Sequence, residues 1–136
     1  MDGEPPPPGW ELAPAQGPFL ENAGPLFIKQ GDGETTLALL ASDRHANNAG
    51  TVMGGMLAAI ADHALGRAIA REDQDDGGRV TVSLTVDFLK PANPGDWIES
   101  RTSVDRVGGS LAFADCSLVV EGAEVVRARA VFAGGS

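Results

Sequence analysis

A chain of 136 residues, 43% apolar and 21% charged, has the size and balance of one globular domain, and is neither two domains nor disordered throughout. Nineteen acidic side chains against ten basic ones leave a formal charge of −9, which opposes non-specific binding to nucleic acid or to an anionic membrane. One cysteine, Cys116, and two histidines, His45 and His63, exclude a disulfide framework, a zinc cage and an HExxH helix as organising features, so no metal site is expected.

Met1 to Pro18 holds six prolines, four of them consecutive from Pro5 to Pro8, and in isolation would be polyproline II or disordered. Trp10 and Leu12 could tack part of it to the body, so residues 1–25 read as an extension that is partly ordered at most and 26–136 as a single domain. There is no basic stretch leading into an apolar run at the start, and nothing approaches the ~18 consecutive apolar residues of a membrane span; a cytoplasmic protein is expected. Leu26-Phe27-Ile28 and Glu34 to Leu40 read as strands joined by the turn Gly31-Asp32-Gly33. Ala41 to Gly50, with Asn47-Asn48, is a loop by composition. Gly54 to about Arg71, rich in Ala and Leu, is the one convincing helix, and the acidic and glycine-containing run from Glu72 to Gly78 stops it.

Four strands follow. Val80, Val82, Leu84, Val86 and Phe88 alternate with polar residues, a period of two that ends at Pro91-Ala92-Asn93-Pro94. Trp97 to Val107, Leu111 to Val120 and Val125 to Phe132 complete the set, separated by Gly108-Gly109 and Glu121-Gly122. Two strands, a helix and four strands imply an α+β domain in which an antiparallel sheet curls around one buried helix.

On a helical wheel Asp62 sits within a stripe of Gly55, Ala58, Ala59, Leu65, Gly66 and Ile69, while His63 and Arg67 lie on another face. A carboxylate among small apolar neighbours is costly unless something polar meets it: either a structural hydrogen bond or a ligand or partner subunit that approaches closely. Gly54-Gly55 at the helix N-terminus expose amides that lack an intrahelical acceptor, the makings of an oxyanion or anion site, although glycines also simply make turns. Neither GxGxxG nor GxxxxGK[ST] spacing is present, which disfavours a nucleotide loop.

The run His45-Ala46-Asn47-Asn48-Ala49-Gly50-Thr51-Val52-Met53-Gly54-Gly55, with Asp62 on the following helix, resembles the HxNxxGxxHGG…D signature of hotdog-fold acyl-CoA thioesterases of the phenylacetic-acid-degradation type. Val80 to Ala92 and Gly95-Asp96 resemble that family's central strand and the turn after it. The resemblance implies a hotdog fold, a homodimer or homotetramer with shared active sites, and hydrolysis of an acyl-CoA without a separate cofactor, coenzyme A being part of the substrate. It implies Asp62 as general base or nucleophile, the Gly54 amide as the donor that polarises the thioester carbonyl, Asn47 of the other subunit as a binder of water or carbonyl, and Thr81 as a positioner of water. Met53, Gly55 and His45 fall to substrate binding, with bracing of the loop the simpler role for His45. The family's HGG histidine is Met53 here.

Arg67, Arg71, Arg79, Lys90 and Arg106 are candidates for the coenzyme's phosphates, each against the simpler reading of a surface charge. Cys116, in a strand with no base nearby, is expected to be inert. The alternatives to a thioesterase are a non-catalytic acyl-binding module, which Met53 permits, and a dehydratase or hydratase, which the missing histidine disfavours.

Overall fold

The computed structural model describes residues 6–31, 34–73 and 78–134. Three features expected from sequence fall partly outside them: the start of the proline-rich N-terminal segment, the tip of the Gly31-Asp32-Gly33 turn and most of the run that follows the long helix. The elements are β1 (Glu11–Leu12), α1 (Pro18–Ala23), β2 (Leu26–Gly31), β3 (Glu34–Leu40), a 3-10 turn at Asp43–His45, α2 (Gly54–Asp73), β4 (Val80–Phe88), β5 (Trp97–Val107), β6 (Leu111–Val120) and β7 (Ala123–Ala133). The strands form one seven-stranded sheet in the order β1-β2-β3-β5-β6-β7-β4, every neighbouring pair antiparallel. This is the hotdog arrangement, with α2 as the filling.

Alternation explains why the sheet wraps this helix. Leu37 and Leu39 of β3, Ala112, Ala114, Cys116 and Leu118 of β6, and Val126, Ala128, Ala130 and Phe132 of β7 are all buried, and they are every second residue of their strands. The inward alanines of β6 and β7 are small side chains that let a helix lie close to this half of the sheet. α2 answers with Ile60, Ala61, Leu65 and Ile69, none more than 1% exposed. Burial of each Leu or Ile contributes about 1.5–3 kcal/mol, so this inner face holds the helix in register.

β4 departs from the simple alternation expected of it. Leu84, Val86 and Phe88 pair with the inward residues Ala130, Ala128 and Val126, but a bulge between Thr81 and Ser83 shifts the register so that Thr81 pairs with inward-facing Phe132. The extra residue turns Thr81 toward α2 and leaves Val82 56% and Val80 64% exposed. β4 is also the last strand of the sheet, with its outer edge unpaired among the described residues.

The N-terminal segment is part of the body over the described residues. β1 pairs with β2, Trp10 packs edge-to-face on Trp97 at 5.2 Å between ring centroids, and Leu20 of α1 is buried in the core. Leu12, by contrast, stays 63% exposed.

Candidate active site

Backbone geometry sets up the start of α2. Met56 and Leu57 both donate their amide hydrogens to the Met53 carbonyl, Val52 donates to Ala92 and Met53 to His45. The Gly54 and Gly55 amides have no acceptor among the described residues, as the first turn of any helix leaves them. They therefore form a pair of free donors at the positive end of a 20-residue helix.

The loop that delivers the chain to this point is tightly held. Asn47 Oδ1 accepts from the Ala49 amide at 2.9 Å and the Thr51 amide at 3.2 Å, and Asn47 Nδ2 donates to Thr51 Oγ1 at 3.0 Å. Gly50 has φ +86°, in the left-handed region that favours glycine. His45 is buried, its Nδ1 accepting from the Ser42 amide at 3.0 Å, so its Nε2 carries the hydrogen and donates to the Ala23 carbonyl. Both ring nitrogens are thus engaged within the chain, and His45 braces the loop.

Two turns further along α2, Thr81 Oγ1 donates to Asp62 Oδ1 at 2.7 Å. The bulge in β4 is what brings the hydroxyl round to the carboxylate. Asp62 is half-buried, meets a polar partner on one oxygen and keeps the other outside that bond, which answers the cost that its small apolar neighbours imply. His63 is directed elsewhere, to Gln16, so it does not form a dyad with Asp62.

Gly54 has a neighbour that sequence reasoning missed. A Cβ built there would lie 3.2 Å from the Phe88 ring at the end of β4. A side chain at 54 would therefore press on this ring, which would have to give way by a few tenths of an ångström. The terminal position of Phe88 in the alternating run was its only sequence signal.

Met53 is 51% exposed and, with Gly55, lines a cleft of about 410 Å³ beside the helix start. No hydrogen bond among the described residues links Asn47, His45 or Met53 to Asp62. One chain brings Asp62 and Thr81 together, and separately brings together Asn47, Met53, Gly54 and Gly55.

A model of the thioesterase superfamily matches residues 49–127, a span that includes Met53, Gly54, Gly55, Asp62 and Thr81 and begins just after Asn47. The chain belongs to the thioesterase superfamily. This thioesterase-superfamily chain is 37% identical over 113 residues to a candidate esterase of Pseudomonas aeruginosa, covering 82% of this chain and 84% of the relative. Among solved structures it is similar to the phenylacetic acid degradation protein PaaI of Thermus thermophilus, in a mutant form, with 28% identity, TM-score 0.76, and coverage of 87% of this chain and all of the other. A candidate thioesterase of Ralstonia eutropha, described as a phenylacetic acid degradation-related protein, gives 26% identity, TM-score 0.77, and coverage of 88% and 92%. Membership gives the activity class, thioester hydrolysis.

The remaining candidate groups of the superfamily member sort by their surroundings. Arg79 is withdrawn from the phosphate candidates: its side chain is 5% exposed, bonded to Asp73 at 2.7 Å and to the Gly108 carbonyl at 2.6 Å. Arg67 donates to Gln16 at 2.9 Å, while Arg71, Lys90 and Arg106 are exposed. Burial pushes the Cys116 thiol up to about 12, so it is a packed, unreactive side chain. No helix of the described residues is long and apolar enough to cross a membrane.

Proposed function

We propose that the protein hydrolyses acyl-coenzyme A thioesters, with the Gly54 amide as oxyanion donor and Asp62 as the group that activates water or attacks the carbonyl itself. The observation that carries this reading is the pairing of one oriented carboxylate, Asp62 on Thr81, with free amides at the start of the same helix. In the water-activating form, Asp62 takes a proton from water as the oxygen attacks the thioester carbon. The carbonyl oxygen becomes an oxyanion against the Gly54 amide, and collapse of the tetrahedral intermediate breaks the C–S bond. The thiolate takes up the proton, giving free acid and coenzyme A. Only water and the thioester are consumed.

Spacing favours an assembly of two or more copies. Gly54 and Asp62 are eight residues apart, which at 1.5 Å per residue is about 12 Å along the helix axis. A reacting carbon must lie about 3 Å from both its nucleophile and its oxyanion donors. Pairing through the exposed outer edge of β4 would cover Val80 and Val82, extend the sheet across a two-fold axis, and let the helix start of one copy meet Asp62 of the other. Asn47, in the loop that carries Gly54, would then act on the same side as the oxyanion donor.

The test is thiol release from a panel of aryl and straight-chain acyl-CoAs, with phenylacetyl-CoA first because the similar solved proteins are named for phenylacetic acid degradation. Hydrolysis of at least one member, together with a scattering mass of twice or four times 14.0 kDa, is the expected result. Saturable binding without thiol release would replace this reading with that of an acyl-binding module.

A further inference from the structure

We propose that α1 is the selecting wall of the acyl site, with Phe19 in contact with the acyl group and Gln16 as the positioning residue that clasps this wall to α2. The inference rests on the thioester reading above and adds to it the residues that discriminate a bulky apolar acyl arm from a small one.

The cleft of about 410 Å³ lies between Met53, Gly55 and Met56 at the start of α2 and Phe19 and Ala23 of α1, with Arg44 at its rim. Gly55, one of the two residues with free amides, lines it, so a substituent of a carbonyl held at those amides is within reach of this cleft. Phe19 is 67% exposed and Met53 51%, two large apolar side chains left open on facing walls. A cavity of roughly 150 Å³ accommodates benzene, so this cleft has room for a phenylethyl group or a medium alkyl chain. Phe19, Ala23, Met53 and Met56 make most of the lining apolar, and both ring nitrogens of His45 are engaged elsewhere, which fits an uncharged arm. Arg44, exposed at the edge of the cleft, keeps its charge while one of its N–H groups donates to the Asn22 carbonyl at 2.8 Å.

Six residues are too few for α1 to hold its shape alone. It is hung at both ends from the machinery it borders. Before it, Gln16 Oε1 accepts from His63 Nε2 at 2.6 Å and from Arg67 Nη1 at 2.9 Å, both on α2. After it, Arg44 and His45 donate to the Asn22 and Ala23 carbonyls. The motif histidine thus fixes one end of the wall, and the residue after Asp62 fixes the other.

Calorimetric titration with two non-hydrolysable thioethers, S-methyl-CoA and S-(2-phenylethyl)-CoA, tests this in the full-length protein. The parent should bind the phenylethyl compound at least about tenfold more tightly, the scale for burying a group of that size. Phe19→Ala should cut that ratio to less than about threefold and leave S-methyl-CoA binding unchanged. Gln16→Leu should do the same, while Gln16→Glu, which keeps an acceptor, should preserve the ratio. A parent ratio near one, or a ratio that survives Phe19→Ala, overturns the proposal, and a ratio that survives Gln16→Leu overturns the clasp. An intact ratio without thiol release from phenylacetyl-CoA would sink the hydrolase reading and leave the wall standing, whereas thiol release with a ratio near one would do the reverse.

Discussion

Two carboxylates of α2 meet Arg79, just before β4, and Thr81, near its start, and they are held in opposite ways. Asp73 receives the Arg79 guanidinium at 2.7 and 3.3 Å, which holds its carboxyl below the usual range, and the same guanidinium reaches on to the Gly108 carbonyl. Asp62 receives one hydroxyl, from Thr81 at 2.7 Å. A guanidinium neutralises a carboxylate and occupies both oxygens; a hydroxyl orients it and leaves its charge in place. The C-terminal end of the helix is closed by its partner, and the Asp62 stretch is left equipped to act on something else.

The sharpest way to break this comparison is at Asp62. Asp62→Asn should keep the thermal midpoint close to the parent's and lower thiol release from the best acyl-CoA by about a hundredfold or more, the scale of losing a general base. Turnover close to the parent's would remove Asp62 from the chemistry. Next in size is Thr81→Ala, which takes away the orienting hydroxyl; turnover should fall about tenfold with little change in KM, and Thr81→Ser should restore it.

Asp73→Asn should show the opposite pattern. Turnover should remain near the parental value while the melting temperature drops by about 5 °C, because the charge-assisted bonds between Asp73 and a guanidinium only 5% exposed are weakened. Calorimetry alongside the thiol assay separates the two carboxylates cleanly: activity without stability at one, stability without activity at the other.

The smallest expected effect concerns His63, the neighbour of Asp62. Burial and then the Arg67 charge hold its pKa below the ordinary 6.5, with Asp62 pulling the other way. The unfolded chain therefore binds this proton more readily, and stability is full above about pH 6.5 and declines as the pH falls through that value toward the folded pKa. Between about pH 7.5 and 5.5, above the range in which the lowered carboxylates titrate, His63→Gln should reduce the loss of melting temperature seen in the parent. An unchanged pH dependence would show that His63 makes no such contribution.

Part of the candidate site was legible in the residues themselves: the helix stripe singled out Asp62 and the paired glycines the start of α2, while Asn47, Met53 and Thr81 entered through the resemblance to the thioesterase signature. The loop from His45 to Gly55 and the acid at Asp62 stand in a fixed order on one loop and one helix, and backbone geometry propagates such spacings into space without help from the rest of the chain. The contacts of Phe88 with Gly54 and of Gln16 with α2 were not legible. Phe88 reads as one more apolar residue in a strand, and Gln16 as one more polar residue in a proline-rich segment.

Periodicity determined the secondary elements, because alternation and helical stripes are properties of near neighbours: β4, β5 and β6 span Val80–Phe88, Trp97–Val107 and Leu111–Val120, the ranges the pattern predicts. Tertiary structure decided the rest. The bulge that turns Thr81 onto Asp62 breaks the very alternation that revealed the strand, since register is set by the pairing with β7 and the fit against α2. The clasp joins residues 47 positions apart, and the Phe88 ring over Gly54 exists only once sheet and helix are packed. Contacts of that kind depend on which surfaces meet, and a one-dimensional pattern specifies which faces are apolar but not which atoms on them will touch.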